Sequence, residues 1–108
     1  MEPISSLANE RVRWARSLKR LRVRQQEQQY LLEGVRLVEE ALRVGRIPTL
    51  VFYVPRLLQT ERGQRLHHDL TTHTDLRGKV LSATDEVLAA VADTVVPQGV
   101  VAAMPIPR

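Results

Sequence analysis

The sequence contains no cysteine, which excludes disulfide bonds and thiolate metal sites. No apolar run approaches the roughly 20 residues that a helix needs to span a bilayer, so we expect no transmembrane segment and no membrane partner. The N-terminus carries an acid at Glu2 and has no apolar segment behind it, which argues against a secretory signal. We therefore expect a cytoplasmic protein.

The sequence also lacks the common catalytic and ligand-binding motifs. There is no Gly-rich phosphate loop, no Ser/His/Asp order and no pair of carboxylates at catalytic spacing. His67, His68 and His73 are the remaining candidates for metal ligands. Adjacent histidines point to different faces of a helix, and no HExxH spacing is present. We predict no metal site and no catalytic residue in this chain.

Acidic residues are missing from one segment, residues 11–24, which carries seven basic side chains. The rest of the chain has nine basic and twelve acidic residues, so this segment supplies the whole net charge of +4. Leu7, Trp14, Leu18 and Leu21 recur at helical spacing, which predicts a helix over residues 5–24, capped by Ser5 or Ser6. The basic residues on its opposite face are Arg13, Arg16, Lys19, Arg20 and Arg24.

This basic face is compatible with three roles. It can be an ordinary solvated surface, it can lie along a phosphate backbone, or it can lie on an anionic membrane. The membrane role is the weakest of the three, because Trp14 and the leucines are also needed to dock the helix on its own domain. The sequence alone leaves these readings open.

A strand, a tight turn and a helix follow one another between residues 30 and 45. Tyr30-Leu31-Leu32 is a short apolar run, typical of a buried strand covered on both faces. After the turn at Glu33-Gly34, apolar residues take up a helical period over residues 35–44. Gly45 is placed to end that helix in a left-handed cap. Such a unit predicts a sheet with helices packed on it.

The remaining segments complete an α/β pattern. The apolar residues 49–54 predict a central buried strand, and residues 57–70 predict a helix that Gly63 weakens. Residues 25–29 are expected to form a loop or a frayed helical extension, and residues 71–75 a loop. A third strand at 79–82, a helix capped by Thr84 or Ser82, a turn at 97–99 and a last strand at 100–104 follow. We predict a three-layer α/β/α sandwich with a mixed sheet of about four strands.

Three polar residues stand at the turns of this pattern. The carboxylate of Glu33 is expected to bond local backbone and fix its turn. Arg36 lies in the first turn of a helix, against the dipole preference, so it either pairs with Glu33, Glu39 or Glu40 or contacts a phosphate. Gln98 is either a structural turn residue or an exposed contact for a base or ribose.

Three segments of the chain form a recognisable pattern in order and spacing. They are Ile4-Ser5-Ser6-x-x-Asn9-x-x-Val12 with Lys19-Arg20-Leu21 and Arg24, then Leu32-Glu33-Gly34-x-Arg36-Leu37-Val38-x-Glu40-Ala41-Leu42, and finally Val96-Pro97-Gln98-Gly99-Val100-Val101-Ala102. In these segments the chain resembles the N-terminal substrate-binding domain of SpoU-type (TrmH-like) RNA 2'-O-ribose methyltransferases. Tyr30, where the family often has Phe, and the Gln-rich run at 25–29 depart from the pattern.

The resemblance implies a small ribosomal-protein-like RNA-binding fold over residues 1–104. Residues 105–108 would begin a linker to a catalytic domain, absent from these 108 residues, that binds S-adenosylmethionine and can form a homodimer. The fragment itself would bind ribosomal or transfer RNA without needing a cofactor. The candidate RNA contacts, from the resemblance and from the basic face, are Asn9, Arg13, Arg16, Lys19, Arg20, Arg24, Glu33, Gly34, Arg36, Gln98 and Gly99.

Two other functions fit the same residues. The chain could be a stand-alone RNA-binding module of the ribosomal-protein kind, with no enzyme attached. It could also be a protein-interaction domain whose basic helix binds an acidic partner.

Overall fold

The computed structural model describes residues 2–93 and 98–107, and these contain one four-stranded sheet. The strands are β1 (Gln29–Glu33), β2 (Leu50–Tyr53), β3 (Val80–Ser82) and β4 (Val100–Pro105), in the order β1-β4-β2-β3. β4 is antiparallel to both β1 and β2, whereas β2 and β3 are parallel. The predicted mixed sheet of about four strands is confirmed.

Within the described residues, five α-helices cover the two faces of this sheet. They are α1 (Glu10–Ser17), α2 (Leu21–Glu27), α3 (Val35–Arg43), α4 (Glu61–Thr72) and α5 (Asp85–Val91), with short 3-10 helices at Pro55–Gln59 and Thr74–Leu76. α1, α2 and α5 pack on one face, and α3 and α4 pack on the other. The three-layer architecture is confirmed. None of the helices in the described ranges is long and apolar enough to cross a bilayer.

The two central strands supply both halves of the core. Successive side chains of a strand point to opposite faces, so Leu50 and Phe52 of β2 pack under α1 and α5, whereas Val51 packs under α3 and α4. Val101 and Ala102 of β4 divide between the two faces in the same way. Both strands therefore have the continuous apolar sequence of strands covered on both sides.

β1 differs from the prediction because it lies at the edge of the sheet. Its apolar side chains do pack on both faces, Leu31 on one and Tyr30 and Leu32 on the other. Each of its five residues is nevertheless only half-buried. The last strand of the chain, β4, separates β1 from β2, and nothing in the local sequence of β1 shows this.

The single helix predicted over residues 5–24 is wrong. α1 begins only at Glu10, where the side chain of Asn9, rather than of Ser5 or Ser6, accepts bonds from the backbone N–H groups of Arg11 (2.9 Å) and Val12 (3.3 Å). The helix ends at Ser17, and α2 starts at Leu21 after a turn. Because of this break, Leu21 leaves the apolar stripe and is 60% exposed.

The segment between α2 and β1 was predicted to be either a loop or a frayed extension of the helix, and the structure shows the extension. α2 continues through Glu27, so residues 25–27 are a helical extension rather than a loop. Gln28 adopts the left-handed conformation (φ +56°) that ends the helix, and Gln29 already belongs to β1.

The helix predicted over residues 57–70 is also divided. A 3-10 helix ends at Gln59, and Thr60 caps α4 by accepting a bond from the backbone N–H of Gly63 (3.0 Å). A Cβ at Gly63 would lie 1.8 Å from the carbonyl oxygen of Leu57, so glycine is required there and is not a weak point. α4 extends to Thr72, into the predicted loop.

The other predicted helix ends agree with the structure. Gly45 has φ +79°, and the N–H groups of Gly45 and Arg46 bond to the carbonyls of Leu42 and Ala41, which is a Schellman cap. Thr84 caps α5 through the N–H of Val87 (3.2 Å). β4 continues one residue beyond its predicted end, to Pro105. Of the predicted 97–99 turn, residue 97 lies outside the described residues.

Candidate nucleic-acid interface

A cluster of four basic side chains, which we call the basic surface, covers the end of α1 and the turn after it. Arg13, Arg16, Lys19 and Arg20 line one shallow depression together with Ser17. The three arginines are exposed, and Lys19 is half-buried. Among the described residues, no hydrogen bond or ion pair engages any of these four side chains. Their charges are therefore available to an external anion.

Arg24 does not join the basic surface in the way that a straight helix would require. Its guanidinium donates hydrogen bonds to the carbonyl oxygens of Leu18 (2.9 Å) and Lys19 (2.8 Å), at the C-terminal end of α1. Those carbonyls have no partner inside the helix, and a cation is favourable beside them. The prediction that Arg24 shares one helix face with Arg13, Arg16, Lys19 and Arg20 is wrong, because the chain turns at residues 18–20 and brings α2 back against the end of α1. A contact between Arg24 and RNA remains a prediction.

A second contact fixes the angle between α1 and α2. The indole N–H of Trp14 donates to the side-chain carboxylate of Glu27 (2.8 Å), which joins the middle of α1 to the last turn of α2. Trp14 also packs against the core on this face of the sheet. The turn that carries Lys19 and Arg20 is thus held from both helices.

Asn9 lies at the start of α1 and is occupied by its capping role. Its side-chain oxygen accepts from two backbone N–H groups, so that oxygen already serves the helix. A contact between Asn9 and RNA remains a prediction.

The end of β1 and the beginning of β4 bring together residues that are far apart in sequence. The backbone N–H of Gly34 donates to the carbonyl of Val100 (3.0 Å), which places the turn after β1 beside the turn before β4. The side chain of Gln98 lies over Gly34, so close that a Cβ on Gly34 would be 2.4 Å from its Oε1. We call the depression here the strand-end cleft; its lining residues are Glu33, Gly34, Val35, Arg36, Leu37, Arg62 and Gln98.

The shape of this cleft depends on the backbone conformation of two glycines. Gly34 has φ +99° and Gly99 has φ +101°, a region that other residues rarely adopt. Gly99 is buried, and its carbonyl accepts from the N–H of Val54 (3.0 Å). Gly99 therefore shapes the cleft from behind and does not line it.

Glu33 joins the cleft to the chain just after α5. Its carboxylate accepts a hydrogen bond from the backbone N–H of Asp93 (2.6 Å), 60 residues further along the chain. The predicted role of fixing the structure is kept, but the bonded partner is distant backbone and not the local turn.

Arg36 is exposed in the first turn of α3 and forms no ion pair with the residues that were expected to pair with it. Glu39 pairs with Arg62 of α4 (2.7 Å), and Glu40 pairs with Arg43. No hydrogen bond or ion pair joins Arg36 to another residue within 2–93 and 98–107. Its guanidinium is open to a ligand in the cleft.

Arg62 is a residue of the cleft that sequence analysis missed. It reaches the cleft from α4, and its hydrogen bond with Glu39, together with the negative charge of that carboxylate, raises its pKa. No local pattern marks Arg62, because its position depends on how α4 packs against α3.

Comparison with known proteins decides what kind of domain this is. Residues 9–102 match the family model for the MRM3-like substrate binding domain. The chain belongs to the MRM3-like substrate-binding domain family. No curated protein sequence matches it.

Solved structures share the fold of this domain. An RNA 2'-O ribose methyltransferase superposes with a TM-score of 0.79 at 22% identity, covering 99% of this chain and 38% of that chain. An rRNA methyltransferase from Sinorhizobium meliloti superposes with a TM-score of 0.75 at 23% identity, covering 98% of this chain and 37% of that chain. The SpoU methyltransferase AviRb from Streptomyces viridochromogenes superposes with a TM-score of 0.71 at 20% identity, covering 92% of this chain and 34% of that chain. These likenesses show the same fold, and the chain spans little more than a third of each protein.

The histidines of this substrate-binding domain have separate surroundings. The ring of His67 meets that of Tyr53 edge-on, with 4.7 Å between centroids. His73 accepts a hydrogen bond at Nδ1 from the N–H of Asp75 (3.1 Å), and His68 is exposed on α4. Across residues 2–93 and 98–107, no three potential ligands gather into a metal-binding group.

Proposed function

We propose that this domain binds structured ribosomal or transfer RNA and presents it for 2'-O-ribose methylation by a catalytic domain of the same protein. The observation that supports this proposal most strongly is the basic surface. Its four cationic side chains have no partner in the described part of the chain, and the domain belongs to a substrate-binding family. Each phosphate that such a side chain neutralises releases counterions, which gives affinity with little dependence on sequence.

We further propose that the strand-end cleft adds selectivity to this affinity. Arg36 and Gln98 are exposed there, and an amide or a guanidinium can reach ribose hydroxyls or base edges as well as phosphates. In this proposal the basic surface provides affinity for RNA, and the strand-end cleft provides selectivity among RNAs.

The proposed protein has two parts. The RNA-binding domain would extend through the end of β4 at Pro105, one residue beyond the predicted boundary at 104, and the residues after it would begin the connection to the catalytic domain. S-adenosylmethionine would bind to that catalytic domain. The structurally similar SpoU methyltransferase AviRb was solved in complex with this cofactor. A homodimer formed through the catalytic domain and a cytoplasmic location complete the proposal.

The experiment replaces Arg16, Lys19 and Arg20 together by Gln and measures filter binding to structured RNA at several salt concentrations. All three side chains are without a described partner, so the fold should be unchanged. We expect weaker binding and a slope of log K against log salt that is lower by up to about 2–3, at roughly 0.7–0.9 per lost contact.

The matched control replaces Arg65, Arg77 and Lys79 by Gln. These residues are exposed and lie outside the basic surface, and the control removes the same net charge. Equal binding losses in the two triple variants would show that only overall charge matters. If the variant of Arg16, Lys19 and Arg20 stays folded and binds RNA with unchanged affinity and salt slope, the proposal is contradicted. Binding that survives nuclease treatment would favour an acidic protein partner instead.

A further inference from the structure

A groove of about 760 Å³ lies between α3 and α4, and the proposed RNA contacts do not account for it. Leu42 of α3 and Leu66 of α4 line it, and Asp69 and His73 line it from the α4 side. An ion pair between Glu39 and Arg62 crosses it from one helix to the other. We call it the interhelix groove.

The interhelix groove is continuous with the strand-end cleft. Arg36 and Arg62 line both depressions, so these two guanidiniums stand at the boundary between them. An RNA strand held in the cleft would pass its backbone across these arginines, and the next base would face the groove. This continuity is what connects the groove to RNA.

The charges of the groove favour a neutral group over a phosphate. Its lining has three arginines and three carboxylates, and two of each are already paired with one another. Arg36 remains at the entrance, and Asp69 remains on α4, exposed and without a hydrogen bond or ion pair in the described part of the chain. A phosphate next to Asp69 would be repelled, whereas a base is uncharged.

We propose that the interhelix groove binds one unstacked base of the RNA, with its backbone phosphate on Arg36 and its hydrogen-bonding edge toward Asp69. This inference rests on the proposed RNA-binding function. Proteins that read single-stranded RNA commonly stack such bases on guanidinium planes and bond their Watson–Crick edges. Leu42 and the aliphatic stems of the arginines supply the apolar contact.

Asp69 determines which base fits. An ionised carboxylate only accepts hydrogen bonds. Guanine presents two adjacent donors on its edge, adenine and cytosine present one amino group, and uracil presents one N–H between two carbonyl oxygens that repel the carboxylate. The expected order of affinity is therefore guanine first and uracil last.

The test uses four pentaribonucleotides, each with uridine at four positions and a different base in the centre. Their phosphate number is equal, so their salt-dependent affinity is equal and only the base differs. Binding to the full 108-residue chain is followed by NMR, with the methyl groups of Leu42 and Leu66 as reporters. We expect the central guanine to bind at least about fivefold more tightly than the central uracil, the lower limit of what paired hydrogen bonds to a base provide.

Asp69→Asn should abolish the guanine preference and raise the affinity for the all-uridine pentamer, because the charge that repels the uracil carbonyl oxygens and a nearby phosphate is removed. Glu61→Gln is the matched control, because it removes the same charge from an exposed position of the same helix outside the groove. That control should keep the preference.

Equal affinity for all four pentamers, or a guanine preference that Asp69→Asn does not change, would overturn the inference. So would shifts confined to residues 13–20. In each of these cases binding to structured RNA through the basic surface would still support the proposed function. Loss of all binding, to pentamers and to structured RNA alike, would instead remove the proposed function and this inference with it.

Discussion

At the scale of single residues, Arg24 has a different role from the basic residues around it. Its two hydrogen bonds to the end of α1 make it a positioning residue for the turn that carries Lys19 and Arg20. Exposed Arg22, on the same helix, makes no such contact with the part of the chain that the structure describes. Two arginines of the same basic segment thus differ in what they do, and the difference is measurable.

Arg24→Gln should lower the free energy of unfolding by about 1–2 kcal/mol, because hydrogen bonds between a charged donor and carbonyls at a helix end are lost. RNA affinity should fall as well, with little change in the salt slope, since no phosphate contact is removed. Chemical denaturation and filter binding measure the two effects. Arg22→Gln is the control and should leave stability unchanged; equal stability of the two variants would refute the positioning role.

Gly34 is the residue whose backbone the strand-end cleft depends on. Gly34→Val should destabilise the protein by more than about 1 kcal/mol, since a β-branched residue is strained at φ +99° and its Cβ would meet the side chain of Gln98. Gly45→Ala tests the conformational cost alone, because at φ +79° its Cβ would meet no atom within 4 Å. An unchanged melting temperature for Gly34→Val would show that the turn tolerates any residue.

At the scale of elements, α4 depends on the approach of another part of the backbone. Replacing a glycine by alanine inside a helix normally stabilises the helix, by up to about 1 kcal/mol. In Gly63→Ala, however, the new Cβ would lie 1.8 Å from the Leu57 carbonyl oxygen, a backbone atom that cannot move without shifting the preceding 3-10 helix. We therefore expect destabilisation by more than about 2 kcal/mol in thermal or chemical unfolding.

Arg65→Ala provides the control for this prediction. It is an exposed position of the same helix, where alanine should change stability by less than about 0.5 kcal/mol. A Gly63→Ala variant as stable as the natural protein would contradict the close approach of α4 to the 3-10 helix.

At the scale of the whole molecule, we predict that these 108 residues do not bind S-adenosylmethionine. The sandwich uses nearly the whole described chain, and the sequence has no Gly-rich loop or catalytic-domain pattern. Calorimetry with the cofactor should show no heat of binding on a sample that binds RNA. A dissociation constant in the micromolar range would mean that an active site lies within this chain.

The sequence by itself determined the features that depend on local pattern. The period of its apolar residues predicted the α/β class and a mixed sheet, and the residue types at the helix ends predicted the caps at Gly45 and Thr84. The motif around Glu33-Gly34-x-Arg36, together with the segments around Asn9 and Gln98-Gly99, predicted the family, which the comparison confirmed. Such features need only neighbours in sequence to be recognised.

Only the tertiary structure decided the features that depend on distant segments. The edge position of β1, the proximity of Gly34 to Gln98 and the arrival of Arg62 in the cleft all come from pairing and packing between residues far apart in the chain. The break in the basic helix was hidden for a related reason. Leucines and arginines continue at helical spacing through residues 18–21, and the bonds that Arg24 and Trp14 make across the turn join segments that the spacing does not mark.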